Sequence, residues 1–203
     1  VVARGLPNLF GAQRFGPDNT TLRQAEAFVS RSRPARSKRD EFLVSAVQSS
    51  LFNAWLADRV DDDTWRTPVA GDVLLKTENG APFVCTQPDV DRDRAQRGEV
   101  VVGGPLVGAA MRSSESEATT KESRSWSRLG VHMDELLTHP AFDVGARRSA
   151  CLVPQDVAVA AADADRRGVT LRFSLPKGAY ASVVLRAVFG GGLVDAAFLD
   201  HIA

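Results

Sequence analysis

The sequence predicts an α+β protein, and three segments carry that prediction. Residues Arg39 to Val60 repeat apolar side chains at helical spacing. Two apolar runs flank Asn79-Gly80, a dipeptide that favours the tight turn of a β-hairpin. The last fifty residues follow the pattern strand, strand, helix, with strands at Asp156 to Ala161 and Val169 to Ser174 and a helix at Tyr180 to Val188.

The first half of the chain contains two predicted helices. Leu22 to Ser30 forms a short helix, which Thr20-Thr21 can cap. In the long helix, apolar side chains recur every four residues and define one face; they are Leu43, Val47, Leu51 and Trp55. Three carboxylates follow at 61–63, and they oppose the helix dipole, so this helix is expected to end near Val60.

The middle of the chain contains shorter elements. The hairpin strands are Asp72 to Thr77 and Phe83 to Thr86, and Pro82 places the second strand at a sheet edge. Val100 to Gly108 is a third β-like run. The remaining predictions are an exposed helix or loop at Ser113 to Ser127, a short helix at His132 to Leu137 that ends before Pro140, and a turn at Asp163 to Gly168.

Composition narrows the class of protein. A chain of 203 residues with 44% hydrophobic residues accommodates one or two domains. No apolar run reaches 18 residues, and the start at Val1 lacks signal-peptide features, so we expect an intracellular protein without a membrane partner that begins inside a domain. Cys85 and Cys151 match no metal or redox spacing and indicate buried thiols. The three histidines do not form a grouping typical of metal ligands.

Charge is distributed unevenly although the net charge is zero. Residues 1–40 contain eight basic and three acidic side chains, residues 41–149 contain 12 and 17, and residues 150–203 contain five of each. A basic end beside an acidic middle suggests an anionic partner at that end, although charge alone favours a simple solvated surface.

Two loops near the ends of the chain have the composition of a binding site. The first is Asn8-Leu9-Phe10-Gly11-Ala12-Gln13-Arg14-Phe15-Gly16. In it, glycines permit close ligand approach, Phe10 or Phe15 can stack on a base, Asn8 can pair with a base edge, and Arg14 can hold a phosphate. The alternative is that both phenylalanines are core residues and Arg14 is a surface cation.

The second loop is Leu175-Pro176-Lys177-Gly178-Ala179-Tyr180-Ala181-Ser182. Lys177 lies beside a glycine turn at a helix start, where unpaired backbone N–H groups suit an anion. Tyr180 offers an aromatic face and a hydroxyl, although it can equally pack on the core. The two loops together suggest two halves of one site.

These residues resemble the TruD family of tRNA pseudouridine synthases. The first loop is similar to the family's N-x-F-G-x-Q-R-F-G segment, and the second, with Val184-Leu185-Arg186, to its L-P-x-G-[SAY]-[FY]-A-[TS]-x-V-x-R segment. Ser45-Ala46, Ser49 and Leu51-Phe52-Asn53 match its S-A-x-x-S-x-L-F-N helix, and Arg147-Arg148 is also similar.

The resemblance implies a fold, an activity and roles for residues. The fold would be a pseudouridine-synthase catalytic domain, present in part as residues 1–33 and 151–203, interrupted by the family's α/β insertion, the TRUD domain, at residues 34–150. The activity would be isomerisation of a uridine in tRNA, typically at position 13, without metal or cofactor. Asn8 and Tyr180 would hold the target uridine, Phe10 would pack at the site, and Arg14 and Lys177 would contact the RNA backbone.

The family's nucleophilic aspartate belongs to a segment like K-D-x-x-A-x-T-x-Q, which precedes the first loop. None of the seven residues before Asn8 is Asp, so we expect the nucleophile upstream of Val1 and no catalytic residue within this chain. Asp40 and Asp93 lack the required context and are interpreted as surface charges.

Three hypotheses follow. The chain is the C-terminal part of a TruD-like enzyme, a non-catalytic RNA-binding module, or one part of a split enzyme whose other part brings the Asp. An exposed apolar face would favour the first and third hypotheses, since an incomplete catalytic sheet leaves edges uncovered.

Overall fold

The computed structural model describes residues 5–127, 129–161 and 168–190. In these ranges the helices are α1 (Thr20–Val29), α2 (Lys38–Asp61), α3 (Pro88–Gln96), α4 (Ser116–Ser127), α5 (Met133–Thr138) and α6 (Ala181–Phe189). The strands are β1 (Leu6–Pro7), β2 (Val73–Lys76), β3 (Pro82–Val84), β4 (Val100–Leu106), β5 (Ala146–Ser149), β6 (Cys151–Leu152), β7 (Gln155–Ala161) and β8 (Val169–Ser174). The α+β class is confirmed.

All strand pairs in the described ranges are antiparallel. A four-stranded sheet has the order β3-β2-β4-β5, so β3 lies at an edge as Pro82 predicts. In this sheet Gly104 of β4 is the register partner of Arg148 of β5. Separately, β1 pairs with β6, and β7 pairs with β8. The pairing of β1 with β6 brings the first described residues beside residues 151–152.

Most predicted elements are confirmed to within a few residues, including the long helix, the hairpin and the C-terminal helix. The segment 113–127 differs, because α4 is helical but buries one face. Its Trp126 is fully buried, and its Nε1 donates to the Leu51 carbonyl of α2 at 3.2 Å. The predicted turn at Asp163 to Gly168 lies outside the described residues except for Gly168.

The sequence analysis missed α3, β1, β5 and β6. Helix α3 has almost no apolar residues, although Pro88 at its start and Asp89 in its first turn are typical of a helix N-terminus. The three strands have two to four residues each, too few for apolar alternation to stand out. These three strands become regular only through pairing with partners that are distant in the sequence.

Helix α2 lies at the centre of the packing. Phe52 and Trp55 are buried against the four-stranded sheet in one cluster that also contains Leu9 and Phe10. A second cluster joins other α2 residues to Phe28 of α1 and to Trp126 of α4. Residues 9–28 therefore share their cores with α2, and the division of the chain at residues 33 and 150 stays a prediction.

A buried ion pair fixes the end of α2. The guanidinium of Arg59 donates to both oxygens of Asp72, at 3.0 and 2.9 Å, and the two side chains are 1% and 4% exposed. Asp72 also accepts from the Val69 backbone N–H at 2.8 Å. Each of these buried charges is paired with the other, and this pairing sets where β2 begins relative to α2.

Neither thiol is fully exposed. Cys85 is buried and Cys151 half-buried, and burial raises the pKa of Cys85 to about 12 and also raises that of Cys151. Within the described ranges, no helix is long and apolar enough to cross a membrane.

The contact between α2 and β4 predicts the effect of a substitution. A Cβ on Gly104 would overlap the Trp55 ring and lie 2.5 Å from Phe52. We expect Gly104→Ala to lower the free energy of unfolding by about 1–3 kcal/mol, the usual cost of overpacking. Urea unfolding followed by circular dichroism measures this, with the exposed Gln24→Ala on α1 as control. Equal midpoints for both variants would contradict the close packing.

Candidate functional site

Helix α2 carries three polar side chains at intervals of four: Ser45, Ser49 and Asn53. Residues at this spacing share one face of a helix, and here that face holds the loop of residues 8–16. Asn53 is fully buried; its Oδ1 accepts from the Phe10 N–H at 2.8 Å and its Nδ2 donates to the Phe10 carbonyl at 3.0 Å. The loop is therefore fixed to α2 through its own backbone.

The same stripe holds Arg14. Its Nε donates to Ser49 Oγ at 3.2 Å, and its Nη2 donates to Ser45 Oγ. The guanidinium also lies over the ring of Phe42, with Cζ 4.9 Å from the centroid. Arg14 is half-buried, so it fastens the loop to α2 while part of its charge stays accessible.

The aromatic ring of Phe10 joins the two loops. It packs edge-on against Phe52 of α2, at 5.6 Å between centroids, and against Tyr180, at 5.8 Å. Phe10 is 9% exposed, whereas Tyr180 is half-buried at the start of α6. Tyr180 thus presents the accessible part of this aromatic pair.

Arg148 lies between the loops. Its guanidinium is stacked on Phe10, with Cζ 4.1 Å from the ring centroid. Its Nη2 donates to the Asn8 side-chain oxygen at 2.8 Å and to the Gly178 carbonyl at 3.0 Å, and its Nε donates to the Asn8 carbonyl at 3.2 Å. One planar group therefore contacts both loops and the aromatic ring.

Arg148 has no carboxylate partner among the described residues. Burial lowers the pKa of its guanidinium to about 10, and interaction with Tyr180 opposes that shift. The group still carries its charge at neutral pH. Carbonyl oxygens and an aromatic face stabilise its positive charge without neutralising it, so the site keeps a net positive charge.

Direct contacts also join the loops next to Arg148. Ser182 Oγ donates to Gln13 Oε1 at 2.8 Å. Gly178 has φ of +86°, a conformation that suits glycine, and its carbonyl is the one that Arg148 binds. A Cβ on Gly11 would come within 2.7 Å of Ser182 Oγ, so glycine is what allows the loops to approach.

The structure brings together three of the five residues selected from the sequence: Asn8, Phe10 and Tyr180. The Asn8 side chain is buried, and both of its amide atoms have partners. Its Oδ1 accepts from Arg148, and its Nδ2 donates to the Ser149 carbonyl at 2.9 Å. Arg14 lies on the α2 side of the loop. Lys177 is exposed beside Gly178.

Sequence reasoning did not assign a role to Asn53, Gln13, Arg148 or Ser182. The four-residue spacing of Ser45, Ser49 and Asn53 on one face of α2 is a usable signal for Asn53. For Arg148 the sequence offers only the similarity of Arg147-Arg148 to the family, which gives it no role, because its contacts arise from the β4–β5 register.

An open groove of about 670 Å³ borders the first loop. The residues that line it are Ala12, Gln13, Gly16, Pro17, Asp18, Asn19 and Arg23. Among the described residues, no group of three or more His, Cys, Asp or Glu side chains is arranged to hold a metal ion. The chemistry that these residues offer is stacking, hydrogen bonding and positive charge.

The bridging contacts predict that Arg148→Met destabilises the protein. Loss of hydrogen bonds to a charged group costs about 1.5–3 kcal/mol, and the buried Asn8 oxygen would lose its donor. Urea unfolding gives the change, with Arg172→Met on the exposed surface of β8 as control. Arg148→Lys should fall between the two, since it retains the charge without the planar fork. A midpoint for Arg148→Met equal to that of the control would contradict a bridging role.

A family model and several known proteins match this chain. Residues 22–188 match the model described as tRNA pseudouridine synthase D (TruD). The chain is 40% identical over 199 residues to tRNA pseudouridine synthase D of Anaeromyxobacter sp. strain Fw109-5, covering 95% of this chain and 56% of the relative. It is 32% identical over 203 residues to the Thermus thermophilus protein of the same name, covering 100% and 53%.

A solved structure shares the fold. A Methanosarcina mazei protein described as a TruD-type tRNA pseudouridine synthase superposes with a TM-score of 0.69 at 20% identity, covering 91% of this chain and 61% of that one. The chain spans little more than half the length of the curated relatives it matches. The family match nevertheless includes most of its residues, and the chain belongs to the TruD family of tRNA pseudouridine synthases.

Proposed function

We propose that this chain forms part of an enzyme that isomerises a uridine in tRNA, at position 13, to pseudouridine. The observation that supports this most directly is the junction of the two loops around Arg148, where Phe10 and Tyr180 stand 5.8 Å apart. A base can be held there by stacking and by hydrogen bonds to its edge.

Each residue selected from the sequence has a role in this proposal. Tyr180 stacks on the target uracil, because it is the accessible member of the aromatic pair, and Phe10 supports it from the core. Asn8 contacts the uracil by exchanging one of its present bonds, to Arg148 or Ser149, for one to the base. Arg14 and Lys177 contact the RNA backbone on the two sides of the junction.

The reaction breaks the bond from N1 of uracil to C1′ of the ribose, rotates the base and joins C5 to C1′. C5 loses a proton and N1 gains one, so the overall change is an isomerisation. The family resemblance assigns the nucleophile to one aspartate. We propose that this carboxylate comes from the part of the enzyme that the chain does not span, and that the described residues hold the base in place for it.

An exposed apolar surface supports the contribution of that further part. Val159 of β7 and Val169 of β8 lie on the same face of this strand pair and are 64% and 55% exposed. A pair of strands with an uncovered apolar face is a typical interaction surface. The surface favours an incomplete catalytic domain or a split enzyme over an independent RNA-binding module, which has no use for it.

The proposal predicts the outcome of an activity measurement. We expect no pseudouridine in a tRNA transcript with uridine at position 13 after incubation with this chain alone. We expect pseudouridine once the chain is joined to the part of the Anaeromyxobacter relative that it does not span. Absence of product from the joined protein would contradict the proposed function. Product from this chain alone would show that it contains the nucleophile, and Asp40 and Asp93 would then be substituted.

Stacking on Tyr180 predicts a difference between two variants. Tyr180→Ala should weaken tRNA binding roughly tenfold, since a stacked base contributes about 1–3 kcal/mol. Lys76→Ala, at the exposed end of β2, should change it less than twofold. Fluorescence anisotropy with labelled tRNA compares them, and equal affinities would remove the case for Tyr180.

A further inference from the structure

We propose that the segment 31–39, which we call the basic connection, forms together with Phe42 a second RNA-contacting surface, distinct from the loops that hold the target uridine. This inference rests on the proposed function, because it assumes that the anionic partner is tRNA. The basic connection links α1 to α2 and includes the first residues of α2. It contacts the phosphate backbone outside the target nucleotide.

The charges of the basic connection are only partly neutralised. It carries five cations, and the carboxylates that follow directly, Asp40 and Glu41, are already paired. Asp40 Oδ1 lies 3.4 Å from Arg33 Nη2, and Glu41 Oε2 lies 2.9 Å from Lys38 Nζ. The Arg33 guanidinium also packs on the ring of buried Phe28, with Cζ 4.6 Å from the centroid, so Arg33 has a structural role in covering the core.

Three guanidinium groups remain. Arg31, Arg36 and Arg39 are exposed, and within the described part of the chain their side chains form neither ion pairs nor hydrogen bonds. Three exposed cations within nine residues, with no free carboxylate beside them, repel one another and attract a polyanion. Arg39 also lies in the first turn of α2, where a cation opposes the helix dipole, so helix stability does not explain its presence.

The basic connection is continuous with the candidate site. Phe42 lies one helical turn beyond Arg39, and it is 46% exposed. The Arg14 guanidinium rests on its ring at 4.9 Å, and Arg14 belongs to the first loop. An accessible aromatic ring beside exposed cations can stack on an unpaired base while the cations hold phosphates, which is how proteins bind single-stranded or looped RNA.

The test compares two triple variants with the same change of charge. One is Arg31→Gln with Arg36→Gln and Arg39→Gln. The control is Lys76→Gln with Arg112→Gln and Arg124→Gln, at exposed positions outside the basic connection. Binding of labelled tRNA by the 203-residue chain is measured by fluorescence anisotropy over a series of salt concentrations, and circular dichroism checks that each variant folds.

We expect the first variant to bind roughly tenfold more weakly at low salt, with a salt slope smaller by about 2, because each lost phosphate contact removes about 0.7–0.9 from that slope. Phe42→Ala should weaken binding several-fold and leave the slope unchanged, since stacking releases no counterions. The control triple variant should have the same tRNA affinity and salt slope as the wild type.

Equal losses in the two triple variants would overturn the proposal, because charge in general rather than this surface would then govern binding. Lack of tRNA binding by the wild-type chain would also overturn it. Pseudouridine formation by the joined protein reports separately on the proposed function. If the joined protein forms pseudouridine but the two triple variants bind tRNA equally well, only the proposal for the basic connection fails. If the joined protein forms no pseudouridine, the proposed function fails.

Discussion

The guanidinium of Arg148 is the group on which both loops converge, and its position depends on the sheet beneath it. Its register partner in β4 is Gly104, the residue whose missing side chain admits the Phe52 and Trp55 rings of α2. Arg148 then stacks on Phe10 and binds Asn8 and Gly178. A planar donor of fixed shape can satisfy all these partners at once, which the flexible ammonium of lysine cannot do.

Helix α2 serves the core and the site through different faces. Its aromatic side chains pack on the sheet, while Ser45, Ser49 and Asn53 hold the loop of residues 8–16. Because the same helix supports both, the packing of α2 on the sheet also fixes the position of the loop. The three polar residues lie in the part of α2 that resembles the family's S-A-x-x-S-x-L-F-N helix. Their contacts with the loop give that resemblance a physical basis.

Local patterns predicted the elements that local forces determine. The apolar repeat of α2, the Asn79-Gly80 turn and the glycine-containing loops could be recognised because spacing and backbone preference specify them directly. The strands β1, β5 and β6 could not, since their regularity comes from distant partners. Arg148 belongs to the second group. The sequence could indicate that the two loops share one site, but only the strand register shows which cation joins them.

The meeting of the two loops can be measured directly, because the chain contains a single tyrosine. In a deuterated sample with protonated Phe and Tyr rings, nuclear Overhauser contacts from Tyr180 report which phenylalanine lies nearby. We expect contacts to Phe10, whose ring centroid is 5.8 Å from that of Tyr180, and their loss in Phe10→Leu. Absence of such contacts in the folded wild-type chain would contradict the shared site and everything built on it.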